Sequence, residues 1–196
     1  MKSFKALTIG AALALSLVGA SSASAATWDP QNSIVTGTAV GTTTLDDSSG
    51  NTVSCSVGDV RIHAFGDRAV ATGPNDPVNW SSCTASFLGG LAATVTTTGT
   101  WTFTATSQTS VDITALPGTG GSVADINIPV LGQNCSIKVT GPVSIPGNTW
   151  SNATHRLTVN PAGTFELDQS AACLGLVGST GRLTSTFSFP ANVVIT

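Results

Sequence analysis

The feature that most constrains the fold is an alternation of threonine between residues 93 and 107. Threonine occupies every second position of residues 94–106, and Val95, Trp101 and Phe103 stand among the residues between them. A period of two is the period of a β-strand with one polar and one apolar face. Threonine also favours strands, because branching at Cβ restricts its side chain. The alternation therefore predicts half-buried antiparallel strands.

The same segment is compatible with one long strand or with a hairpin. Thr97-Thr98-Gly99 matches a three-residue hairpin loop with Gly99 in the left-handed conformation, which places Val95 opposite Trp101. A single strand would run about 45 Å at ~3.3 Å per residue. Because that length is large for a small domain, the hairpin is the preferred interpretation.

Residues 1–25 have the parts of a secretory signal peptide. Lys2 and Lys5 form a short basic region, an apolar run follows, and Ala23-Ser24-Ala25 fits the cleavage site. The alternative is a membrane anchor, but a span needs about 20 apolar residues. We therefore expect a signal-peptide helix that is removed after Ala25, a secreted protein, and no membrane span in the mature chain.

The mature part, residues 26–196, suits one domain. Removal of Lys2 and Lys5 leaves five of the seven basic residues against ten acidic ones, a net charge of about −5. A chain this poor in positive charge cannot gather phosphates, so a nucleic-acid partner is excluded.

All four cysteines lie in the mature part, at Cys55, Cys83, Cys135 and Cys173. An even number in an exported chain indicates disulfides. Three pairings are possible, and we prefer Cys55–Cys83 with Cys135–Cys173, because each pair then staples one half of the sequence. A metal site is the alternative, but no C-x-x-C pair is present and neither histidine is close to a cysteine. No metal or other cofactor is expected.

The remaining sequence alternates apolar and polar residues between turn signals, without helical periodicity. A turn is predicted at residues 46–51 and a loop at 66–80. A second hairpin is predicted at residues 160–163, with Val159 opposite Phe165 and a left-handed Gly163. Ten or more short strands predict an all-β, antiparallel two-sheet sandwich of Ig-like, Greek-key or jelly-roll type, stapled by its disulfides.

Catalytic chemistry finds little support in the sequence. His63 and His155 are the possible imidazole bases, and no G-x-S-x-G motif is present. His63 shares a predicted strand face with Asp59 and Arg61, which is either an acid–base cluster or a solvated face. Because Glu166 is the only glutamate and points outward, a facing pair of carboxylates is not evident. We therefore expect no enzyme activity.

Two further motifs favour plain turns and loops. Asp46 with Asp47, or Asn75 with Asp76, could hold calcium, but both pairs fall short of a full calcium loop. Residues 116–120 read Leu-Pro-Gly-Thr-Gly, the letters of a sortase signal. A sorting signal stands at the C-terminus before an apolar stretch and a basic tail, so this copy is interpreted as a loop.

Trp80 and Trp150 are the candidate ligand contacts. Both are predicted to lie in loops, where exposed indoles form a platform for sugars. Trp101, by contrast, is predicted to be in the core because it alternates with the threonines.

A Trp-Thr-Phe-Thr strand at residues 101–104 is followed by a T-S-x-T-S turn at 106–110. With the signal peptide and the four cysteines, this layout resembles small secreted bacterial all-β proteins of the alkane-oxidation activator (PraA/PraB-like) kind. The resemblance covers most of the mature chain and brings no catalytic residue with it. It implies an extracellular, non-enzymatic protein that acts at the cell surface or in the matrix, with self-assembly as one mode of action.

The leading hypothesis is therefore a secreted structural or surface-interaction protein whose partner is itself or cell-surface material. Residues 33–45 and 193–196 are candidate edge strands for such pairing. The alternative is an extracellular binding module for a carbohydrate or an apolar small molecule.

We predict that the mature protein begins at Ala26. The small residues Ala23-Ser24-Ala25 meet the requirement of the signal peptidase site. N-terminal sequencing of protein recovered from the culture medium should start Ala-Thr-Trp-Asp. Secreted protein that starts at Met1 would contradict the assignment.

Overall fold

The computed structural model describes residues 25–71, 77–130 and 132–196. The predicted signal helix and the candidate calcium ligands Asn75 and Asp76 lie outside these ranges. Within them, no helix is long and apolar enough to cross a membrane.

The described residues form seventeen strands and two short 3₁₀ turns, Phe87–Gly89 and Ala171–Cys173. The strands are β1 (Trp28–Asp29), β2 (Ile34–Ala39), β3 (Thr43–Asp47), β4 (Thr52–Phe65), β5 (Arg68–Ala71), β6 (Val78–Ala85), β7 (Leu91–Thr97), β8 (Thr100–Ser107), β9 (Ser110–Leu116), β10 (Ser122–Val130), β11 (Gln133–Thr140), β12 (Val143–Ser151), β13 (Arg156–Thr158), β14 (Thr164–Gln169), β15 (Thr180–Thr184), β16 (Thr186–Ser188) and β17 (Val194–Ile195).

Strands β2 to β16 form a closed antiparallel barrel of eight long strands. β4 is continuous, and each of the other seven consists of two consecutive segments: β2/β3, β5/β6, β7/β8, β9/β10, β11/β12, β13/β14 and β15/β16. Each long strand pairs with the long strands before and after it in the sequence. The last, β15/β16, pairs with the first, β2/β3. The topology is that of an up-and-down barrel.

The closing pairs distinguish this barrel from the predicted two-sheet sandwich. Leu183 lies opposite Leu45, and Phe187 lies opposite Ala39. The all-β antiparallel class agrees with the prediction. The alternation of apolar residues shows only that one face of each strand is buried, and a sandwich and a closed barrel both meet that condition.

The threonine segment is one long strand with a kink, so the predicted hairpin is wrong. β7 pairs with β6 and β10, whereas β8 pairs with β5 and β9. Gly99 has a φ of +75°, the left-handed value that was predicted, but it forms the kink between the two segments. A Cβ at this position would collide with the main-chain oxygen of Leu116. The strands of a barrel are tilted against the barrel axis. A strand longer than the barrel is high therefore fits, and the length of this segment does not require a hairpin.

The predicted hairpin at residues 160–163 is also a kink within one long strand. β13 pairs with β12 and β16, and β14 pairs with β11 and β15, so Val159 does not face Phe165. Gly163 is not left-handed. A glycine is required there because a Cβ would lie 2.8 Å from Cγ2 of Ile145.

The kinks of neighbouring strands lie side by side and form a waist around part of the barrel. A Cβ on Gly118 would lie 2.9 Å from the main-chain nitrogen of Gly99, and a Cβ on Gly141 would lie 3.1 Å from Cδ of Pro117. Residues 116–120, the sortase-like sequence, belong to this waist. The structure thus places them in a bend between β9 and β10, as the loop interpretation predicts.

Apolar side chains fill the inside of the barrel. Ile62, Phe103, Ile126 and Leu157, from four different long strands, are at most 2% exposed. Two cavities among the inward-facing side chains measure about 20 Å³ each. Such a volume holds about one water molecule.

A two-stranded sheet of β1 and β17 lies at one end of the barrel. The N–H of Thr27 donates to the oxygen of Thr196 at 3.0 Å, and the N–H of Thr196 donates back at 2.9 Å. Trp28, which is fully buried, packs its ring edge-on against Trp150 at 5.2 Å between centroids. Its Nε1–H donates to the oxygen of Phe103 on β8 at 3.2 Å. Trp28 therefore closes this end of the barrel.

On the side of β17 that faces away from β1, the main-chain N–H and C=O of Ile195 form hydrogen bonds with a side chain. The N–H of Ile195 donates to Oδ1 of Asn152 at 2.9 Å, and Nδ2 of Asn152 donates to the oxygen of Ile195 at 2.8 Å. The amide of Asn152 thus takes the place of a neighbouring strand. Residues 33–45 are also paired on both sides, through β2 and β3. Neither of the two predicted edge strands is a free edge.

We expect Trp28→Ala to destabilise the protein by about 3–5 kcal/mol, because it empties a large buried site. Trp28→Phe, which keeps an aromatic ring, should cost less. Urea unfolding followed by circular dichroism measures both variants. If Trp28→Ala were as stable as the wild type, the side chain of Trp28 would contribute nothing to the stability of the barrel.

Candidate functional site

The two tryptophans proposed as ligand contacts lie in the core. Trp80 is on β6 and 8% exposed, and Trp150 is on β12 and 1% exposed, so their predicted loop positions are wrong. Trp80 packs edge-on against Trp101 at 6.2 Å, and Trp101 is buried as predicted. The indoles at these positions therefore form no platform on the surface.

The two histidines have separate environments. His63 lies on β4 with its ring 3.9 Å from the ring of Phe65, between centroids. Asp59, Arg61 and His63 alternate with buried residues, so they share the outer face of β4 as predicted. His155 has Nδ1 3.0 Å from the oxygen of Val193, where it fixes the segment that leads to β17.

The four cysteines form the two pairs that were predicted from the sequence. Cys55 and Cys83 are directly opposite each other on β4 and β6, and their sulfurs are bonded. Cys135 on β11 is bonded to Cys173 in the second 3₁₀ turn. Both bridges lie at the end of the barrel opposite Trp28, because all four residues are close to the turns of that end.

An amphipathic outer surface, the β2–β4 wall, is formed by β2, the outer face of β4 and Val40. Four large apolar side chains of this wall are 40–52% exposed: Ile34, Val40, Val57 and Phe65. Ile34 lies opposite His63 in the β2–β4 pair, and His63 lies opposite Val70 on β5. Threonines and charged residues occupy the positions between, so the wall combines apolar and polar contacts.

A second feature, the outer-wall cleft, opens on the outside of the barrel beside the turn that follows β3. It has a volume of about 360 Å³, and six of its lining residues are Asp46, Ser48, Pro161, Thr180, Arg182 and Thr184. A volume of this size is within the range of small-molecule sites.

The closing strand pair of the barrel positions the polar groups of the cleft. Arg182 on β15 is directly opposite Asp46 on β3. Thr180 and Thr184 lie two residues to either side of Arg182, so all three face outward. The hydroxyl of Thr52 donates to Oδ1 of Asp46 at 2.8 Å, which fixes this carboxylate. The cleft therefore presents a carboxylate, a guanidinium and hydroxyls on one surface.

Asp47 holds the turn beside the cleft. Its Oδ1 accepts hydrogen bonds from the main-chain N–H groups of Ser49 and Asn51 at 2.8 and 2.9 Å. Its Oδ2 accepts from Nδ2 of Asn51 and from the N–H of Gly178, both at 2.9 Å. Burial raises the pKa of Asp47, but these hydrogen bonds outweigh it, and the pKa lies below its ordinary value of 3.8. Asp47 is thus committed to the turn that the sequence predicts.

Sequence reasoning could not identify the cleft. Asp46 and Arg182 are far apart in the sequence, and they meet only because the last long strand pairs with the first. The sequence did show two aspartates on a Ser/Gly turn. This feature lies on one side of the cleft and gives no indication of Arg182 on the other side.

We predict that Asp47→Asn lowers the melting temperature at pH 7. Because the pKa of Asp47 is lowered by folding, its ionised form stabilises the protein above pH 3.8, and this contribution is lost as the pH falls through the folded-state pKa. The difference between wild type and variant should therefore shrink in strong acid. Calorimetry between pH 7 and strong acid measures this difference in melting temperature, and Glu166→Gln, at an exposed position, is the control. A difference that does not depend on pH would contradict the role assigned to Asp47.

Comparison with known proteins agrees with the resemblance in layout. No curated protein and no solved structure gives a significant match. A family model described as alkane oxidation protein activator PraA/PraB-like matches residues 1–190. This match covers nearly the whole sequence, including the strands that close the barrel, and the chain therefore belongs to the PraA/PraB-like family of alkane oxidation protein activators.

Proposed function

We propose that the protein is a secreted, non-enzymatic contact protein of the cell surface or extracellular matrix that acts through the outside of its barrel. The observation that carries this proposal is the filled interior. Small β-barrels that carry a ligand leave room for it inside, whereas the two cavities described above among the inward-facing side chains measure about 20 Å³ each. A partner must therefore be met on the outer surface.

The two disulfides support an extracellular location. Disulfides persist in oxidising compartments and are rare in the cytosol. Here both are buried at one end of the barrel, where they hold β4 to β6 and the second 3₁₀ turn to β11. Such covalent links suit a protein that functions outside the cell.

The β2–β4 wall gives the proposed contact a chemical character. Contiguous exposed apolar patches mark interaction sites, and the apolar side chains of this wall form two groups, with the Thr36–Arg61 and Thr38–Asp59 pairs between them. The family description refers to activation of alkane oxidation, and Ile34 and Phe65 expose about half of their surface on this wall. We propose that the wall contacts an apolar surface, such as the surface of an alkane droplet, while its threonines and charges stay in water.

Self-association, where it occurs, is proposed to use the outer face of the barrel. Strand addition requires a free sheet edge. The closed ring leaves no such edge among β2 to β16, and Asn152 occupies the outer side of Ile195. The β2–β4 wall, whose apolar side chains are already exposed, is the surface that two copies would share.

The second candidate function is carbohydrate binding, and the outer-wall cleft favours it. The cleft offers about 360 Å³ of space with charged and hydroxyl groups. An apolar small molecule finds no comparable space in the barrel interior, so that form of the binding-module hypothesis has less support.

We predict that the purified mature protein adsorbs at a hexadecane–water interface and that Ile34→Thr with Phe65→Thr reduces this adsorption several-fold. Both changes remove exposed apolar surface from the β2–β4 wall and place threonine, a β-branched residue that favours strands, at each position. Interfacial tension and depletion of protein from the aqueous phase measure the effect.

The matched control is Leu174→Asn with Leu176→Thr, because Leu174 has a φ of +57°, which asparagine tolerates and a β-branched residue does not. These leucines are 70% and 41% exposed and lie at the disulfide end, away from the wall. The proposal expects this control to adsorb like the wild type. Equal losses in both double variants would show general surface hydrophobicity instead of a specific wall, and no adsorption of the wild type would refute the contact with hydrocarbon.

A further inference from the structure

The polar groups of the outer-wall cleft form a set that matches a particular kind of ligand. Asp46 provides an acceptor, and only its Oδ1 is engaged by Thr52. Arg182, directly opposite, provides donors in a planar fork. The hydroxyls of Ser48, Thr180 and Thr184 can both donate and accept. The cleft therefore offers both hydrogen-bond donors and acceptors.

The charges of the cleft favour an uncharged ligand. Asp46 and Arg182, which carry opposite charges, occupy paired positions on neighbouring strands, so together they add no net charge to the cleft. Asp47 adds a further negative charge, but its carboxylate is engaged by three hydrogen bonds from the turn and one from the N–H of Gly178. An anionic ligand would meet this acidic turn, and a cationic one would meet Arg182. A neutral ligand is repelled neither by the acidic turn nor by Arg182.

Neighbouring hydroxyl groups on one ligand would satisfy both charged groups at once. A hydroxyl donates to a carboxylate and accepts from a guanidinium, and hydrogen bonds to ionised groups are stronger than those between neutral groups. Pro161 adds an apolar surface to the wall of the cleft, against which the C–H face of a sugar ring can pack.

We propose that the outer-wall cleft binds an uncharged saccharide of one or two sugar units through Asp46 and Arg182. The volume of about 360 Å³ limits the ligand to a short segment. This inference rests on the proposed function, since it names the class of surface or matrix material that the outside of the barrel would recognise. It places sugar recognition on β3 and β15, and not on Trp80 or Trp150.

The test is a titration of the ¹⁵N-labelled mature protein, followed by amide chemical shifts. The probes are maltose, cellobiose, lactose and N,N′-diacetylchitobiose, with glucuronic acid and glucosamine as charged comparators. The proposal expects at least one uncharged disaccharide to shift the amides of residues 46–48 and 180–184 in a saturable manner. The charged comparators should bind more weakly.

Arg182→Gln should weaken that binding tenfold or more, and Asp46→Asn provides a second variant should the first not fold. The matched control is Arg156→Gln, an exposed arginine on β13, which should bind like the wild type. Saturable binding that survives both cleft variants, stronger binding of a charged comparator, or no binding by any disaccharide would overturn the proposal.

Adsorption to hexadecane separates this inference from the proposed function. Arg182→Gln leaves Ile34 and Phe65 unchanged, so it should adsorb like the wild type. Normal adsorption together with a failed sugar titration would refute saccharide binding and leave contact through the β2–β4 wall in place. Failed adsorption with successful sugar binding would refute the hydrocarbon contact and leave the cleft.

Discussion

The structure depends on the pairing of the last long strand with the first. When β15/β16 bonds to β2/β3, the sheet becomes a ring whose inward side chains face only one another. This closure excludes water from the interior and removes the sheet edges on which strand addition depends. It also brings Asp46 and Arg182 together on the outside. A filled core, a ring of strands β2 to β16 without edges and the outer-wall cleft are thus three results of one set of hydrogen bonds.

The two ends of the barrel are closed in different ways. At one end, disulfides bind β4 to β6 and β11 to the second 3₁₀ turn. At the other end, β1 and β17 pair with each other, and the buried Trp28 packs against Trp150 and donates a hydrogen bond to the main-chain oxygen of Phe103. The second closure depends on packing and hydrogen bonds alone. Reducing agents should therefore act first on the disulfide end, and core substitutions such as Trp28→Ala on the other.

Local patterns in the sequence were sufficient for the all-β, antiparallel class and for most inward positions, but not for the choice between a sandwich and a closed barrel. The alternation around Trp101 and Phe103 identifies buried residues correctly, and the cysteine pairing was confirmed. The same patterns could not locate the hairpins, because Gly99 and residues 160–163 carry the residues of a turn and yet form kinks within long strands. The register between neighbouring strands decides between these structures, and it is set by contacts distant in the sequence. The cleft was missed for the same reason.

Ring closure also sets an order of events for the chain. Residues 34–47 gain their second neighbouring strand only when residues 180–188 are present. The disulfides link residues only 28 and 38 positions apart, so they do not depend on the closing of the ring. Before the ring closes, the first long strand is an open edge, which is where nascent β-proteins aggregate. On its outward face, Thr36, Thr38 and Asp46 accompany the exposed Ile34 and Val40, and the strand contains Gly37. Glycine weakens strand pairing and the polar residues interrupt the apolar ones, so this strand is a weaker template for a foreign chain than a continuous apolar strand until its own last strand arrives.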